Sequence, residues 1–116
     1  MTSDAVAVCA LAPDEAMTIA ALATVAPTLN VEQGPDNALH LYDDAGRWWC
    51  TVDAPVLVQV EGEADRLLGS GPPVPCPGWW VECRADPALP EAVETCRSMA
   101  RALAHLGRGT VWRTSR

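Results

Sequence analysis

The fold is decided by residues 38–61, which read ALHLYDDAGRWWCTVDAPVLVQVE. Apolar residues recur at nearly every second position of this stretch, which is the period of a half-buried β-strand. The pattern predicts three strands, at Ala38–Asp43, Arg47–Asp53 and Val56–Glu61. Asp44-Ala45-Gly46 is a tight hairpin connection and Asp53-Ala54-Pro55 a second short one, so these strands are expected to pair antiparallel.

Two predicted helices flank this strand-rich centre. The first begins at Pro13-Asp14-Glu15 and ends before Pro27; it is apolar nearly all round, which is typical of a helix that is buried on several sides or faces another subunit. The second spans Pro90 to Leu106, with one apolar stripe and Gly107 as its C-cap. Further strands are predicted at Ala5–Leu11, Leu29–Gln33, Trp79–Arg84 and Thr110–Thr114. Gly34-Pro35-Asp36-Asn37 is predicted to form a turn after the second of these strands.

This order of elements predicts a single α+β domain over residues 1–116. Both helices should cover one face of a mainly antiparallel sheet in a two-layer arrangement, and the topology is expected to be ferredoxin-like with extra strands. Residues 69–78 contain four prolines and three glycines. They are expected to form a loop within the domain, because neither flank is long enough to fold alone.

The charge balance limits the classes of partner. Fifteen acids face eight arginines, there is no lysine, and the net charge is −7. Nonspecific binding to nucleic acid is therefore not expected, whereas a basic protein partner fits the charge. All fifteen acids lie at or before Glu94, and residues 97–116 carry five arginines. This asymmetry fits pairing with a second copy, anion binding, or a basic partner bound by the acidic body. The favoured interpretation is a solvated helix face followed by a frayed end.

The N-terminal region and the cysteines point to a cytoplasmic protein. The start has no basic segment typical of a secretory signal, and Asp14 and Glu15 interrupt the apolar stretch that a membrane span would need. The five cysteines are odd in number and form no CxxC pair. Four lie in apolar segments and are expected in the core; Cys76, between two prolines, is the expected accessible thiol. No metal site and no cofactor are expected.

The predicted strands have two faces of different composition. One is uniformly apolar and is expected under the helices, with Trp48, Cys50, Val56 and Trp79 among its members. The other mixes aromatic, basic and acidic side chains, which fits either a binding surface or cross-strand packing on a solvated face. The two large tryptophans favour a binding surface. The candidate partner-binding residues on it are Trp49, Trp80, Tyr42, His40, Arg47, Arg84, Glu61 and Glu82.

These residues support two functional hypotheses. The first is a non-enzymatic interaction domain that binds a protein partner, such as an immunity-type inhibitor of a basic protein. The second is a small-molecule site or an enzyme framed by His40, Tyr42, Trp49 and Trp80, with Arg47 or Arg84 as an anion anchor. The chain contains no glycine-rich phosphate loop and no nucleophile motif, and only His40 beside Asp53, Glu61 or Glu82 could serve acid–base chemistry.

The mixed face also predicts a homodimer. Two helices can cover only one side of a sheet, so Trp49 and Trp80 are expected to be buried against a second copy about a twofold axis. The alternative is a monomer in which residues 69–78 fold back over the same face.

Overall fold

The computed structural model describes residues 3–59 and 77–113. These residues form seven strands, β1 (Ser3–Cys9), β2 (Asn30–Gln33), β3 (Leu39–Tyr42), β4 (Trp48–Val52), β5 (Val56–Val58), β6 (Gly78–Ala85) and β7 (Thr110–Arg113), and two helices, α1 (Glu15–Val25) and α2 (Pro90–Leu106). The predicted elements are therefore present, with ends that differ from the predicted ones by at most three residues. Glu61 and all but the last two residues of the 69–78 loop lie outside the described ranges.

The described strands make one antiparallel sheet in the order β2-β3-β4-β6-β1-β7, and β5 pairs with β6 beyond the end of β4. Because β1 and β4 are both antiparallel to β6, they are parallel to each other, with α1 in their connection. Likewise β6 and β7 both pair with β1 and are joined through α2. This is the split β-α-β pattern of ferredoxin-like sheets, extended at one edge by β2 and β3. The expected single α+β domain is confirmed.

Local chemistry sets the ends of the helices. The Asp14 carboxylate accepts the backbone N–H of Met17 at 2.8 Å, so Asp14 is the N-cap and α1 begins at Glu15, two residues after the predicted start. Pro90 occupies the first turn of α2, where its missing N–H costs no hydrogen bond. Gly107 caps α2 as predicted, and its N–H donates to the Leu103 carbonyl at 2.8 Å.

The core lies between α2 and the sheet. Helix α2 packs across β1, β4, β6 and β7, and α1 packs against α2. Strand β1 presents the small side chains Ala5, Ala7 and Cys9 to the helices, which permits a close approach. Helix α1 is only lightly buried, because Ala21 is its one fully buried residue within the described chain and Ile19 is 56% exposed. Burial of α1 on several sides is therefore wrong for this chain, and the other interpretation, a helix that faces a subunit, stays open.

The predicted faces are reversed at the start of β4. Leu41 pairs with Cys50, but Tyr42 pairs with Trp48, so Trp49 is an extra residue in a β-bulge. As a result Trp49 packs against the helix-side core, and Trp48 shares the opposite face with Tyr42. We call that opposite face, turned away from the helices, the second face.

Strand β5 is reversed in the same way. Val56 pairs with Trp80 and Leu57 pairs with Trp79, and directly paired residues point to the same side of a sheet. Val56 therefore lies on the second face and Leu57 on the helix side, opposite to the sequence prediction. The connection between Val52 and Val56 shifts the alternation by one residue. None of the described helices is long and apolar enough to cross a bilayer.

Candidate binding groove on the second face

The second face carries a groove of about 700 Å³. It lies between the β2–β3 hairpin turn and the segment that joins β4 to β5, with β6 beneath. Its described lining residues are Val6, Gly34, Pro35, Asp36, Ala38, His40, Asp53, Ala54, Val56, Val58, Trp80, Glu82 and Arg84. We call this the second-face groove.

The lining of the groove is mainly apolar. Trp80 packs against a small cluster formed by Val6, Val8 and Trp112, each of which is at most 5% exposed. Val56, directly opposite Trp80 across the ladder, is 60% exposed and is the most accessible large apolar side chain in the described residues. The groove thus combines a firmly packed indole with an accessible aliphatic side chain, the type of surface on which another apolar group can pack.

Charged side chains lie beside this apolar surface. Arg84 donates to the Asp53 carboxylate at 2.9 Å, and both side chains remain partly accessible. Arg84 Nε is buried and has no hydrogen-bond partner among the described residues, so one donor at the groove is unused. Asp36 and Glu82 add two more carboxylates to the lining. Among the described lining residues three carboxylates therefore accompany one guanidinium, which gives this part of the lining more acidic than basic side chains.

A short hydrogen-bonded chain holds His40 at the wall of the groove. Trp48 Nε1 donates to Thr51 Oγ1 at 2.9 Å, and the same oxygen lies 2.8 Å from His40 Nδ1. Thr51 is 2% exposed, which makes it the buried polar residue of the described core. A Cβ at Gly34 would lie 2.8 Å from His40 Nε2, so glycine is needed at this position for the imidazole to keep its place.

The structure brings together half of the sequence-predicted site. His40, Trp80, Glu82 and Arg84 all line the second-face groove. Tyr42 is on the same face but outside the lining. Glu61 lies outside the described residues, so its role stays a prediction.

Two predicted residues lie elsewhere. Arg47 is at the far end of the sheet, 3.4 Å from Asp86 in an ion pair. Trp49 is on the helix side, where its Nε1 donates to Asp43 at 3.1 Å. Trp49 and Trp80 therefore occupy opposite faces, and a flat interface on the second face cannot bury both.

Asp43 anchors the hairpin that carries Trp48 and Trp49. Its carboxylate accepts the backbone N–H groups of Arg47 at 2.9 Å and Ala45 at 3.0 Å, in addition to the Trp49 indole. These hydrogen bonds, with that from Arg47 the largest contribution, lower the pKa of Asp43 below its usual value. A stable carboxylate here fixes the orientation of Trp49 away from the groove.

Sequence reasoning missed Val6, Asp36 and Val56 as lining residues. Val6 carries a signal in the sequence, because valine and alanine alternate along β1 and the smaller residues face the helices. Asp36 belongs to the predicted turn at residues 34–37, and its approach to β6 depends on tertiary structure. Regular alternation in the sequence places Val56 on the helix side. The shift of alternation at Pro55 that moves it to the second face leaves no local signal in the sequence.

The buried cysteines offer no nucleophile to this site. Cys9, Cys50, Cys83 and Cys96 are free and buried. Burial raises the pKa of Cys50 to about 12, and a hydrogen bond with Cys96 together with burial raises the pKa of Cys83 well above its usual value. In the described part of the chain, no group of three or more His, Cys, Asp or Glu side chains is placed to hold a metal ion.

Comparison with protein-family models, curated proteins and solved structures gives no match. The groove is therefore interpreted from its own geometry and charge.

Proposed function

We propose that this chain is a non-catalytic protein-binding domain that holds a basic segment of a partner protein in the second-face groove. The single observation that carries the proposal is the combination of the Trp80–Val56 apolar surface with the carboxylates of Asp36, Asp53 and Glu82. An anionic or purely apolar ligand would not match this lining.

The groove suits lysine and arginine side chains in particular. Their aliphatic stems can pack on Trp80 and Val56 while the cationic ends approach the carboxylates. The Arg84 side chain is 40% exposed, so the accessible part of its guanidinium can donate to a carbonyl oxygen of the bound segment. The net charge of −7 adds long-range attraction that speeds encounter with a basic protein.

Within this class, the chain is proposed to act as a cytoplasmic inhibitor or immunity-type protein. Its small size and acidic character support binding to a basic protein by charge complementarity. Its function then consists of occupying the partner's basic surface, which requires no catalytic group.

Selection from a random peptide library displayed on phage tests the proposal, because the library samples basic, acidic and apolar segments alike. Peptides selected on the wild-type protein should be enriched in lysine or arginine next to an aromatic or aliphatic residue. Trp80→Ala should weaken the binding of a selected peptide at least tenfold, and Asp36→Asn with Glu82→Gln should weaken it and reduce its salt dependence.

Glu91→Gln is the matched control. It removes one negative charge, where the double variant removes two, and it lies in the first turn of α2 on the other layer of the domain. Its affinity should stay within twofold of wild type. Selected peptides without basic residues, or peptides that bind the Trp80→Ala variant as tightly as wild type, would contradict the proposal.

A small-molecule site is the second candidate, favoured by the groove volume. About 700 Å³ falls within the ~300–1,000 Å³ typical of ligand pockets. A thermal-shift screen of metabolites would support it if a compound raised the melting temperature of wild type but not of Trp80→Ala. A protein that responds to basic peptides and to no small molecule would favour the first proposal.

A further inference from the structure

Within the described chain, strand β2 forms an edge of the sheet with open backbone groups. The Gly34 N–H donates to the Ala38 carbonyl at 2.8 Å, and the β2–β3 register continues from this pair through Glu32 with His40 and Asn30 with Tyr42. Since hydrogen-bonded pairs alternate along an antiparallel ladder, Val31 and Gln33 direct their N–H and C=O groups away from β3. All four side chains of β2 are exposed. Such an edge is able to pair with another strand.

An apolar surface lies next to this edge, on the helix side. A second groove of about 660 Å³ runs between α1 and the β2–β3 hairpin, lined among others by Leu22, Leu29 and Leu39. Ile19 on α1 is 56% exposed and Val31 on β2 is 46% exposed. Helix α1 is apolar nearly all round yet lightly buried, so apolar side chains and open backbone groups adjoin on this surface.

The sequence of β2 is self-complementary in one register. If Val31 pairs with Val31 of a second copy, two apolar side chains meet on the helix side, and each Glu32 lies opposite an Asn30 on the second face. The Asn30 amide donates to the Asp44 carboxylate at 3.1 Å and to the Asp43 carbonyl at 3.5 Å, so this register places a neutral amide, and not a second carboxylate, opposite each Glu32.

The neighbouring registers are less favourable. Pairing Val31 with Gln33 of the copy places Glu32 directly opposite Glu32, which is repulsive. Pairing Gln33 with Gln33 brings Pro35 opposite Val31, and proline has no N–H to contribute to the ladder. Charge and backbone chemistry therefore disfavour these two registers relative to the one centred on Val31.

We propose that a second copy of this chain docks on the β2 edge, antiparallel about a twofold axis at Val31. The two sheets then continue into one, and the surfaces between α1 and β2 of both copies meet across the axis. This interface uses the opposite side of the hairpin from the basic-segment site, so both can be occupied together. Failure of one proposal leaves the other intact.

Sedimentation equilibrium of the purified chain tests the dimer. Wild type should show a mass near twice 12.3 kDa at micromolar concentration. Val31→Pro removes both N–H donors at the axis yet is compatible with an outward-facing edge position, so it should remain folded and raise the dissociation constant at least tenfold. Val31→Ala keeps the N–H and should weaken association by less than Val31→Pro does.

Cross-linking reads out the register directly. Paired Cα atoms about 5.5 Å apart suit a disulfide, so Val31→Cys, in a Cys76→Ser background, should form an intermolecular disulfide in air. Gln33→Cys should not, because these positions would lie roughly 14 Å apart. The proposal would be overturned by any of three results. These are a monomeric wild type, a folded Val31→Pro variant that dimerises as tightly as wild type, and a disulfide that forms at position 33 rather than at position 31.

Discussion

Trp48 donates its indole N–H to the hydroxyl of Thr51 at 2.9 Å, although residues three apart in a regular strand point to opposite faces. The contact exists because the bulge at Trp49 changes the alternation between them. It brings Trp48 to the same face as His40, whose Nδ1 lies 2.8 Å from the same hydroxyl. The bulge thereby creates the polar chain that supports the wall of the second-face groove.

Replacement of this hydroxyl should destabilise the fold. Thr51→Val keeps the side-chain volume but leaves the Trp48 and His40 nitrogens without their partner, so we expect the free energy of unfolding to fall by about 1–3 kcal/mol. Urea denaturation measures the change. Thr24→Val is the control, because the exposed Thr24 hydroxyl bonds only to its own helix; its effect should be below about 0.5 kcal/mol. Equal losses in the two variants would contradict this role for Thr51.

Gly109 should be intolerant of any side chain. A Cβ there would lie 2.7 Å from Cys9 Cα and would also collide with the Val8 carbonyl, both of which belong to the β1 backbone. We expect Gly109→Ala to lower the free energy of unfolding by about 3 kcal/mol. Gly46→Ala, at a positive φ of 83° but in open space, should cost only about 1 kcal/mol. Similar melting temperatures for the two variants would show that β1 can move to accommodate the methyl group.

The elements of the fold were predictable because local signals and tertiary structure agree. The helix from Pro90 to Leu106 has a proline start, one apolar stripe and a glycine end, and the structure keeps all three. The turn at residues 34–37 was also predictable, and Asn37 adopts the left-handed conformation with φ 62° that such a turn requires. These features depend on residues close together in the chain.

The candidate site was only partly predictable because two strands change their alternation. A bulge at Trp49 and the connection at Asp53-Ala54-Pro55 each shift the pattern by one residue, which exchanges the faces of Trp48 with Trp49 and of Val56 with Leu57. The pattern of residues 47–58 looks regular in sequence. Which residue is left unpaired is decided by pairing with β3 and β6, and that information is not local.

Stability should depend on the ionisation of Asp43. Hydrogen bonds from Arg47, Trp49 and Ala45 lower its pKa in the folded state, so its stabilising contribution is present above the unfolded value of about 3.9 and is lost as the pH falls through the folded pKa. Asp43→Asn should therefore be less stable than wild type at pH 6, and the difference should shrink towards pH 2. Urea denaturation at several pH values measures it. Asp44→Asn is the control, because it alters a neighbouring carboxylate that accepts from Asn30. A stability difference between wild type and Asp43→Asn that stays constant from pH 6 to pH 2 would contradict this role for the Asp43 carboxylate.

The buried thiols should be protected from alkylation in the folded protein. Burial raises the pKa of Cys50 to about 12, so at pH 8 its thiol is protonated as well as inaccessible. We expect iodoacetamide to modify Cys50 at least ~100-fold more slowly in buffer than in guanidinium chloride, because reaction must await opening of the core. Peptide mapping by mass spectrometry after timed quenching gives the rate at each cysteine. Cys76, which the sequence predicts to be the accessible thiol, is the internal reference and should react first. If Cys50 in the folded protein were modified at the rate of Cys76, the core between β4 and α2 would open readily, contrary to this prediction.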